Sequence, residues 1–342
     1  MDLSVIVVNW NTRDLLAFCL ESLADDPYLA IGFRDDSAGG EPPDGRGLAA
    51  LSTEIFVVDN ASTDGSPGMV RERYPFVRLI ELDENIGFAR ANNRAIRQSQ
   101  GRYVVLLNSD TEVHPGALGV LANALDNEPD AGAAGPRVLN PDGSLQPCYG
   151  SLPSLWSEIL GPNLLDPFTK PWGRFGRRLY VKRIATGSCT RVDQVSFACT
   201  AVRRETFLQE GLLDERFPFY SEDDDWFKRL NDAGWQTLFC PQAVVVHHWG
   251  ASARKRRAWA ELQLYRGKRR YYLKHHGILA ERLLRAGLVV RFLLKYASAR
   301  FRPVLDEDTK RSTLEKQRRL MADTLRSLDP IGSAGALTLG DS

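Results

Sequence analysis

The sequence predicts an α/β protein with a mainly parallel central β-sheet, and three observations lead to this prediction. Short β-branched and aliphatic runs alternate with segments whose apolar residues recur at helical spacing, the order that produces parallel strands joined by crossover helices. Several of the runs are apolar at every position, as in strands that are covered on both faces. Of the 342 residues, 43% are hydrophobic and 25% are charged, which is the balance of a globular protein with a large core. This composition excludes extensive disorder and a disulfide-stapled scaffold.

The first half of the chain contains four predicted strands separated by helices. The strands are predicted at residues 3–8, 54–58, 77–80 and 103–107. Helices are predicted after Thr12, across residues 88–98 and after Pro115, where apolar side chains recur every three or four positions. Residues 31–53 are rich in Gly, Pro and Asp and lack periodicity, so we predict a surface insertion there.

Three of these strands run into polar side chains. Asn9 ends the first, Asp59 and Asn60 follow the second, and residues 108–110 (Asn-Ser-Asp) follow the fourth. The carboxyl ends of parallel strands meet at one edge of a sheet, where ligands bind. Asn, Asp and Ser are also ordinary turn residues, but three such ends on one edge favour a binding site. Glycine-rich dinucleotide and Walker loops are absent from the sequence, so a bound nucleotide would need a divalent cation at its phosphates.

Charge is distributed unevenly along the chain. Residues 1–253 carry a net charge of −11, residues 254–302 carry +13, and residues 303–342 carry −1. Aromatic and leucine residues are interleaved with the basic ones in 254–302, which indicates a basic amphipathic helical segment lying on an anionic membrane surface. A solvated helical face and an oligomer contact are the alternatives, and nucleic acid is disfavoured because the acidic body would repel it. Residues 303–342 are predicted to form a C-terminal helix and a loose tail.

The cysteines and the first residues indicate the compartment. The five cysteines are odd in number and far apart, so we expect reduced thiols in the cytoplasm. Because no cationic and then apolar leader precedes Leu3, we expect no signal peptide. Arg285 and Arg291 interrupt the apolar stretch near the C-terminus and argue against a transmembrane span.

Six motifs, in order, make the chain similar to family-two glycosyltransferases, and most similar to their rhamnosyltransferase-like branch. They are VIVVNWN at 5–11, VVDNASTDGS at 57–66, NIGF at 85–88 with Asn92-Asn93, LNSDT at 107–111, FYSEDDDW at 219–226 and HHWG at 247–250. The resemblance implies a GT-A fold over residues 1–253 and an inverting, metal-assisted transferase of cell-wall and surface-polysaccharide assembly. Its donor would be a dTDP- or UDP-sugar, with rhamnose the sugar of this branch. Its acceptor would be a hydroxyl of a lipid-linked or cell-surface saccharide.

The resemblance also implies roles for individual residues. Asp59 would accept a hydrogen bond from the N–H of uracil or thymine, since a carboxylate only accepts. Asp110 and His247 would hold Mg²⁺ or Mn²⁺, while Asn108 replaces the first aspartate of the family's motif and is a weaker, neutral ligand. The remaining nucleotide-sugar contacts would come from Val8, Asn9, Asn11, Asn60, Asn85, Gly87, Asn92, Asn93, Asn108 and Ser109.

Four consecutive carboxylates, Glu222 to Asp225, begin a predicted helix and exceed what helix capping requires. Mutual repulsion and burial should raise the pKa of at least one of them, which suits a general base. The family pattern assigns this role to Asp223, with Glu222 and Asp225 as alternatives. A solvated acidic helix start is the non-catalytic interpretation.

Two readings of the whole chain therefore compete. The first is a cytoplasmic enzyme, peripheral on the inner face of the plasma membrane. The second is a non-catalytic, membrane-docked scaffold that binds a nucleotide sugar within a polysaccharide assembly complex. Residues 144–190 match no motif and are expected to form an acceptor-side loop or lid, and a homo-oligomer is left open.

Overall fold

The computed structural model describes residues 1–31, 49–160, 187–217, 219–248, 257–301 and 307–326. The strands are β1 (Leu3–Asn9), β2 (Leu29–Ile31), β3 (Leu51–Asp59), β4 (Val77–Glu81), β5 (Tyr103–Asn108), β6 (Thr111–Val113), β7 (Ala131–Leu139), β8 (Tyr149–Gly150), β9 (Thr190–Val192), β10 (Gln194–Val195), β11 (Cys199–Arg203) and β12 (Gln236–His247). The helices are α1 (Arg13–Ala24), α2 (Ser66–Arg73), α3 (Phe88–Ile96), α4 (Ala117–Asn127), α5 (Leu155–Leu160), α6 (Arg204–Glu210), α7 (Glu222–Asp232), α8 (Arg257–Phe301) and α9 (Glu307–Leu325).

Within these residues, ten strands form one sheet in the order β2-β3-β1-β5-β11-β7-β12-β6, with β4 added to β3 and β9 added to β12. The strands β2, β3, β4, β1 and β5 pair in parallel. The chain is therefore α/β with a mainly parallel sheet on its N-terminal side, as the alternation of strands and helices predicts. The register sets Asn9 beside Asp59 and Val8 beside Asn108, so the polar strand ends do meet at one edge.

The sheet is covered on both faces, which explains its uninterrupted apolar strands. Alternate residues of β1 enter opposite cores: Leu3, Val5 and Val7 pack toward α1, α2 and α4, while Ile6 packs toward α3, α6 and α7. All four side chains are fully buried. These two layers hold the carboxyl edge of the sheet in place.

The start of one predicted strand differs from the sequence-based prediction, and several further strands were not predicted. β3 begins at Leu51 rather than Glu54, because Leu51 and Thr53 extend the parallel pairing with β2. Residues 32–48, the greater part of the predicted insertion, lie outside the described residues. β7 escapes prediction because its Ala- and Gly-rich start has low strand propensity. β11 runs antiparallel between β5 and β7, which an expectation of parallel strands does not anticipate.

The expectation of reduced thiols is wrong for two of the five cysteines. Cys189 and Cys240 form a disulfide, whereas Cys19, Cys148 and Cys199 are buried and free. Antiparallel pairing of β9 with β12 sets Thr190 opposite Phe239 and so brings the adjoining cysteines together. Their separation of 51 residues conceals this contact in the sequence.

The C-terminal helices form a third core. α8 is broken at Gly277, whose φ of 80° and ψ of 177° are not helical. Tyr265, Tyr271 and Tyr272 of its first half are buried against α8, α9 and Phe217, so the aromatics predicted to face a membrane face protein instead. Basic residues of this half are likewise paired internally, as in the buried ion pair of Arg269 with Glu281. No helix in the described ranges is long and apolar enough to cross a membrane.

Candidate functional site

A cavity of about 360 Å³ opens at the carboxyl ends of β1, β3 and β5. Its polar wall contains the strand ends Asn60, Asn108, Ser109 and Asp110, together with His247. Two carboxylates at the start of α7 also line the cavity, and aromatic side chains complete the lining. The aromatic and acidic lining residues are Trp10, Phe88, Phe197, Phe219, Tyr220, Glu222 and Asp223.

Asp59 and Asn9 form a buried, hydrogen-bonded pair at the ends of β3 and β1, and neither lines this cavity. Asn9 donates through Nδ2 to Asp59 Oδ1 at 2.8 Å, and the backbone N–H of Ser62 donates to Asp59 Oδ2 at 2.8 Å. Thr12 Oγ1 in turn donates to Asn9 Oδ1 at 2.7 Å. Asn11, in the left-handed region with φ of 55°, accepts from the backbone of Thr63 at 2.8 Å. These bonds orient the carboxylate and hold the loop that follows β3.

Asn60 and Asn85 shape the loop that precedes α3. Asn60 Nδ2 donates to Asn85 Oδ1 at 2.9 Å, and its Oδ1 accepts from the N–H of Ile86 at 2.9 Å. Gly87 has φ of 87° and ψ of 170°, a conformation that favours glycine, and its N–H donates to Asn85 Oδ1 at 3.0 Å. Asn60 and Asn85 line the cavity, and Val8 lines it from β1.

The structure does not bring Asn92 and Asn93 to the cavity. Asn92 is buried on α3 and donates to the carbonyl of Phe88 at 3.0 Å. Asn93 uses both ends of its amide on the backbone of Leu213, at 2.8 Å and 3.1 Å. Asn93 therefore connects α3 to the segment after α6, Asn92 bonds only within α3, and neither lines the cavity.

Asp110 and His247 face each other across the wall of the cavity. His247 Nε2 lies 3.1 Å from Asp110 Oδ1, and the ring is 5% exposed. Antiparallel pairing of β6 with β12 causes this approach, and the N–H of His248 donates to the carbonyl of Asp110 at 2.8 Å. The ring of His248 turns elsewhere and pairs with Glu112. Ser109 shares a 2.8 Å hydrogen bond with Thr12.

Gln146, which sequence reasoning missed, determines how His247 presents its ring. Gln146 Oε1 lies 2.7 Å from His247 Nδ1, and Gln146 Nε2 donates to Asn140 Oδ1 at 2.8 Å. An oxygen that only accepts requires a proton on Nδ1, so in the neutral ring the lone pair is on Nε2, which faces Asp110. Gln146 lies in the motif-free segment after β7, so no signal in the sequence pointed to it.

The Asp110–His247 pair fits a divalent cation. Two Lewis bases 3.1 Å apart, one of them with a tautomer fixed by its neighbour, form an incomplete ligand set of suitable chemistry. Among the described residues, His, Cys, Asp and Glu form no group of three that could hold a metal ion. Further ligands would therefore have to come from bound phosphate oxygens and water. Asn108 presents its amide to the same Nε2 at 3.4 Å.

The four carboxylates of the acidic cluster, residues 222–225, have different environments at the start of α7. Burial, with repulsion between neighbours, raises the pKa of Glu222, and burial raises that of Asp223; both line the cavity. Burial and the charge of Asp223 raise the pKa of Asp224 to about 7, although Lys268 opposes this. At least one raised pKa in this cluster agrees with the sequence-based prediction.

Asp225 has a different environment from its neighbours. It is fully buried and accepts from Lys274 at 2.6 Å, His275 at 2.7 Å and Arg229 at 3.1 Å. Although burial alone would raise its pKa, these hydrogen bonds and charges hold that pKa below its ordinary value. Asp225 does not line the cavity, so its surroundings are those of a structural carboxylate.

Comparisons with known proteins relate this chain to glycosyltransferases. The model of Glycosyl transferase family 2 matches residues 4–164. An N-acetylglucosaminyl-diphospho-decaprenol L-rhamnosyltransferase of Mycobacterium tuberculosis (strain ATCC 25618 / H37Rv) is 36% identical over 222 residues, which are 59% of this chain and 71% of the relative. The O-antigen biosynthesis protein RfbC of Myxococcus xanthus is 29% identical over 204 residues, which are 59% of this chain and 15% of that protein.

One solved structure shares the fold. The structure of GalNAc-T7 with UDP, GalNAc and Mn²⁺ superposes with a TM-score of 0.53 at 14% identity, over 93% of this chain and 54% of that one. At this identity the likeness concerns the fold alone. The superposition thus supports a GT-A fold. The family match and the rhamnosyltransferase relative identify this chain as a glycosyltransferase of family two.

Proposed function

We propose that this enzyme is an inverting rhamnosyltransferase that uses a dTDP- or UDP-sugar and glycosylates a lipid-linked saccharide. One observation carries the proposal: the Asp110–His247 pair and the Glu222–Asp223 carboxylates line the same cavity. The relative in Mycobacterium tuberculosis is named for rhamnosyl transfer to N-acetylglucosaminyl-diphospho-decaprenol, which supports both the sugar and the lipid-linked acceptor.

The strand ends provide the donor half of the proposed site. Asp59, held by Asn9 and Ser62, would accept from the base N–H, and Asn60 with Asn85 would border the ribose. Asp110 and His247 would hold a divalent cation, whose charge would stabilise the departing diphosphate. In the proposed donor site, Asn92 and Asn93 act only through the packing of α3.

Asp223 is the proposed base. Its Oδ1 accepts from the N–H of Asp224 at 2.9 Å, and its raised pKa makes it a better proton acceptor than an exposed aspartate. In an inverting reaction the acceptor oxygen attacks the anomeric carbon opposite the leaving diphosphate, and Asp223 takes the hydroxyl proton. Glu222 remains the alternative because it also lines the cavity, whereas the ion pairs of Asp225 argue against that residue.

The proposal extends to location and partners. We place the enzyme in the cytoplasm, peripheral on the inner face of the plasma membrane, with part of residues 254–302 contacting anionic lipid. A homo-oligomer is the alternative use of that segment. The competing scaffold reading has no need for half-buried carboxylates with raised pKa values lining the cavity.

Calorimetry with UDP, dTDP, GDP and ADP, each with Mn²⁺, Mg²⁺ or EDTA, tests the donor site. We expect metal-dependent binding of dTDP or UDP, and failure of all four would refute the donor assignment. Transfer to a polyprenyl-diphosphate N-acetylglucosamine then tests the reaction. Asp223→Asn should retain donor binding and lose transfer, while the matched control Asp224→Asn, which lies beyond the cavity lining, should retain both. If Asp223→Asn retains transfer, the base is another residue.

A further inference from the structure

The second half of α8 carries a continuous row of exposed apolar side chains, which we call the outer face. Five residues spaced four or seven positions apart lie on one side of the helix. Their exposed fractions range from 50% to 82%: Leu279 69%, Leu283 50%, Val290 55%, Leu294 66% and Phe301 82%. From Leu279 to Phe301 the row is about 33 Å long at about 1.5 Å per residue. Soluble monomers rarely leave so long an apolar row in water.

This exposure is not a consequence of a poorly packed helix. Leu284, Leu288 and Phe292, on the opposite side of the same helix, are fully buried in the third core. Gly287 approaches α5 so closely that an added Cβ would lie 2.6 Å from Ile159. The side of the helix that carries Leu284, Leu288 and Phe292 is therefore fully packed against protein. Packing within the chain does not explain why the outer face is apolar.

The charges around the outer face have one sign. Arg282 and Arg300 are exposed beside the row, and Arg285 is half-buried farther round the helix. Between residues 278 and 301 the sequence contains a single acidic residue, Glu281, which is buried and paired with Arg269. An apolar row bordered by arginines complements a surface that is apolar within and anionic outside, which describes a phospholipid headgroup layer.

We propose that the outer face of α8 lies flat on an anionic phospholipid surface and places the cavity beside a lipid-linked acceptor. This inference rests on the proposed function for its acceptor. It narrows the membrane contact predicted for residues 254–302 to 278–301, because the tyrosines of the first half are buried in protein. A second copy of the chain is a less suitable partner, since two outer faces meeting about a two-fold axis would bring their arginines together.

Vesicle flotation of the full chain tests the proposal. We expect binding to vesicles that contain phosphatidylglycerol and little binding to phosphatidylcholine alone. Leu283→Glu combined with Val290→Glu should weaken binding at least about 30-fold, because two apolar side chains leave the interface. Arg282→Glu combined with Arg300→Glu should weaken it about 10-fold or more, and only toward the anionic vesicles. The matched control is Leu208→Glu on α6, which changes a still more exposed leucine (77%) elsewhere and should bind normally.

Three results would overturn the proposal: equal binding to both kinds of vesicle, unchanged binding of the Leu283/Val290 variant, or a wild-type dimer that this variant dissociates in light scattering. Thermal unfolding checks that each variant folds. Donor calorimetry separates this proposal from the proposed function. Donor binding without vesicle binding would refute the docking face alone, and vesicle binding without donor binding would refute the proposed function alone.

Discussion

Replacing Asp225 with asparagine should destabilise the fold and leave the proposed base in place. Asp225 joins α7 to α8, because its carboxylate accepts from Arg229 within its own helix and from Lys274 and His275 of α8. The variant keeps the shape of the side chain and removes its charge. The cationic side chains of Arg229 and Lys274, together with the ring of His275, would then surround a neutral amide in the interior.

The size of the effect follows from burial. Removing one partner of a buried ion pair costs about 3–5 kcal/mol. The remaining side chains are 19%, 24% and 9% exposed, and Arg229 and Lys274 retain other partners: Arg229 the carbonyl of Leu212, and Lys274 the carboxylate of Asp214. We therefore expect the low end, about 3 kcal/mol. For a chain of this size that corresponds to a fall in Tm of roughly 6 °C.

The effect should depend on pH. A carboxylate whose pKa is lower in the folded state stabilises that state above its unfolded pKa, and the contribution disappears as pH falls through the folded value. The ordinary value is 3.8 and the folded one lies below it, so the variant and the wild type should differ at neutral pH and converge below about pH 4.

Urea unfolding followed by tryptophan fluorescence measures the difference. Asp232→Asn is the matched control, because it removes an exposed carboxylate of the same helix that pairs with Lys228 and should change the free energy of unfolding by less than about 0.5 kcal/mol. Normal stability of Asp225→Asn with complete loss of transfer would refute this reasoning and make Asp225 the better candidate for the base.

Three further predictions concern positions that sequence reasoning left without a role. Gly267→Ala should reduce transfer more than donor binding, because the new Cβ would lie 2.5 Å from the carbonyl oxygen of Tyr220 and displace the start of α7. Gly287→Ala is the control, because its new Cβ would contact only the side chain of Ile159. Calorimetry measures donor binding of both variants, and a transfer assay measures their activity. Gln146→Leu should weaken Mn²⁺ binding about 10-fold in titration calorimetry by releasing the ring of His247, and an unchanged affinity would contradict the role of the amide. Reduction of the Cys189–Cys240 disulfide should cost about 2–4 kcal/mol in chemical unfolding, and equal unfolding midpoints with and without reductant would refute a stabilising role.

The parts of the site that lie at strand ends could be predicted because local pattern determines them. A strand with uninterrupted apolar residues must be covered on both faces, and its polar terminus must then emerge at an edge. This reasoning correctly brings Asn60, Asn108 and Asp110 into one cavity. Asp59 and Asn9 follow by register, since residues paired across parallel strands stay neighbours.

Contacts between distant segments could not be predicted in this way. Gln146 approaches His247 only after β7 and β12 pair, and Cys189 reaches Cys240 only after β9 joins β12. The motif of Asn92 and Asn93 predicts contacts with the donor, whereas their amides donate to backbone carbonyls of α3 and of Leu213. For α8, the sequence shows which residues are apolar and which are basic. Only the packing of the C-terminal helices shows which of these residues are buried against protein.

The strand order has a consequence for how the protein is made. β5 ends at Asn108 and β7 at Leu139, but β11, which lies between them, begins only at Cys199. During synthesis, the edges of β5 and β7 therefore stay unpaired until the residues up to β11 have been added. Unpaired strand edges can form hydrogen bonds with the wrong strand. The Ala- and Gly-rich start of β7 has low strand propensity, which disfavours non-native pairing at this edge. The sheet closes late, with residues that follow the stretch matched by the family model, so the N-terminal half cannot complete the fold alone.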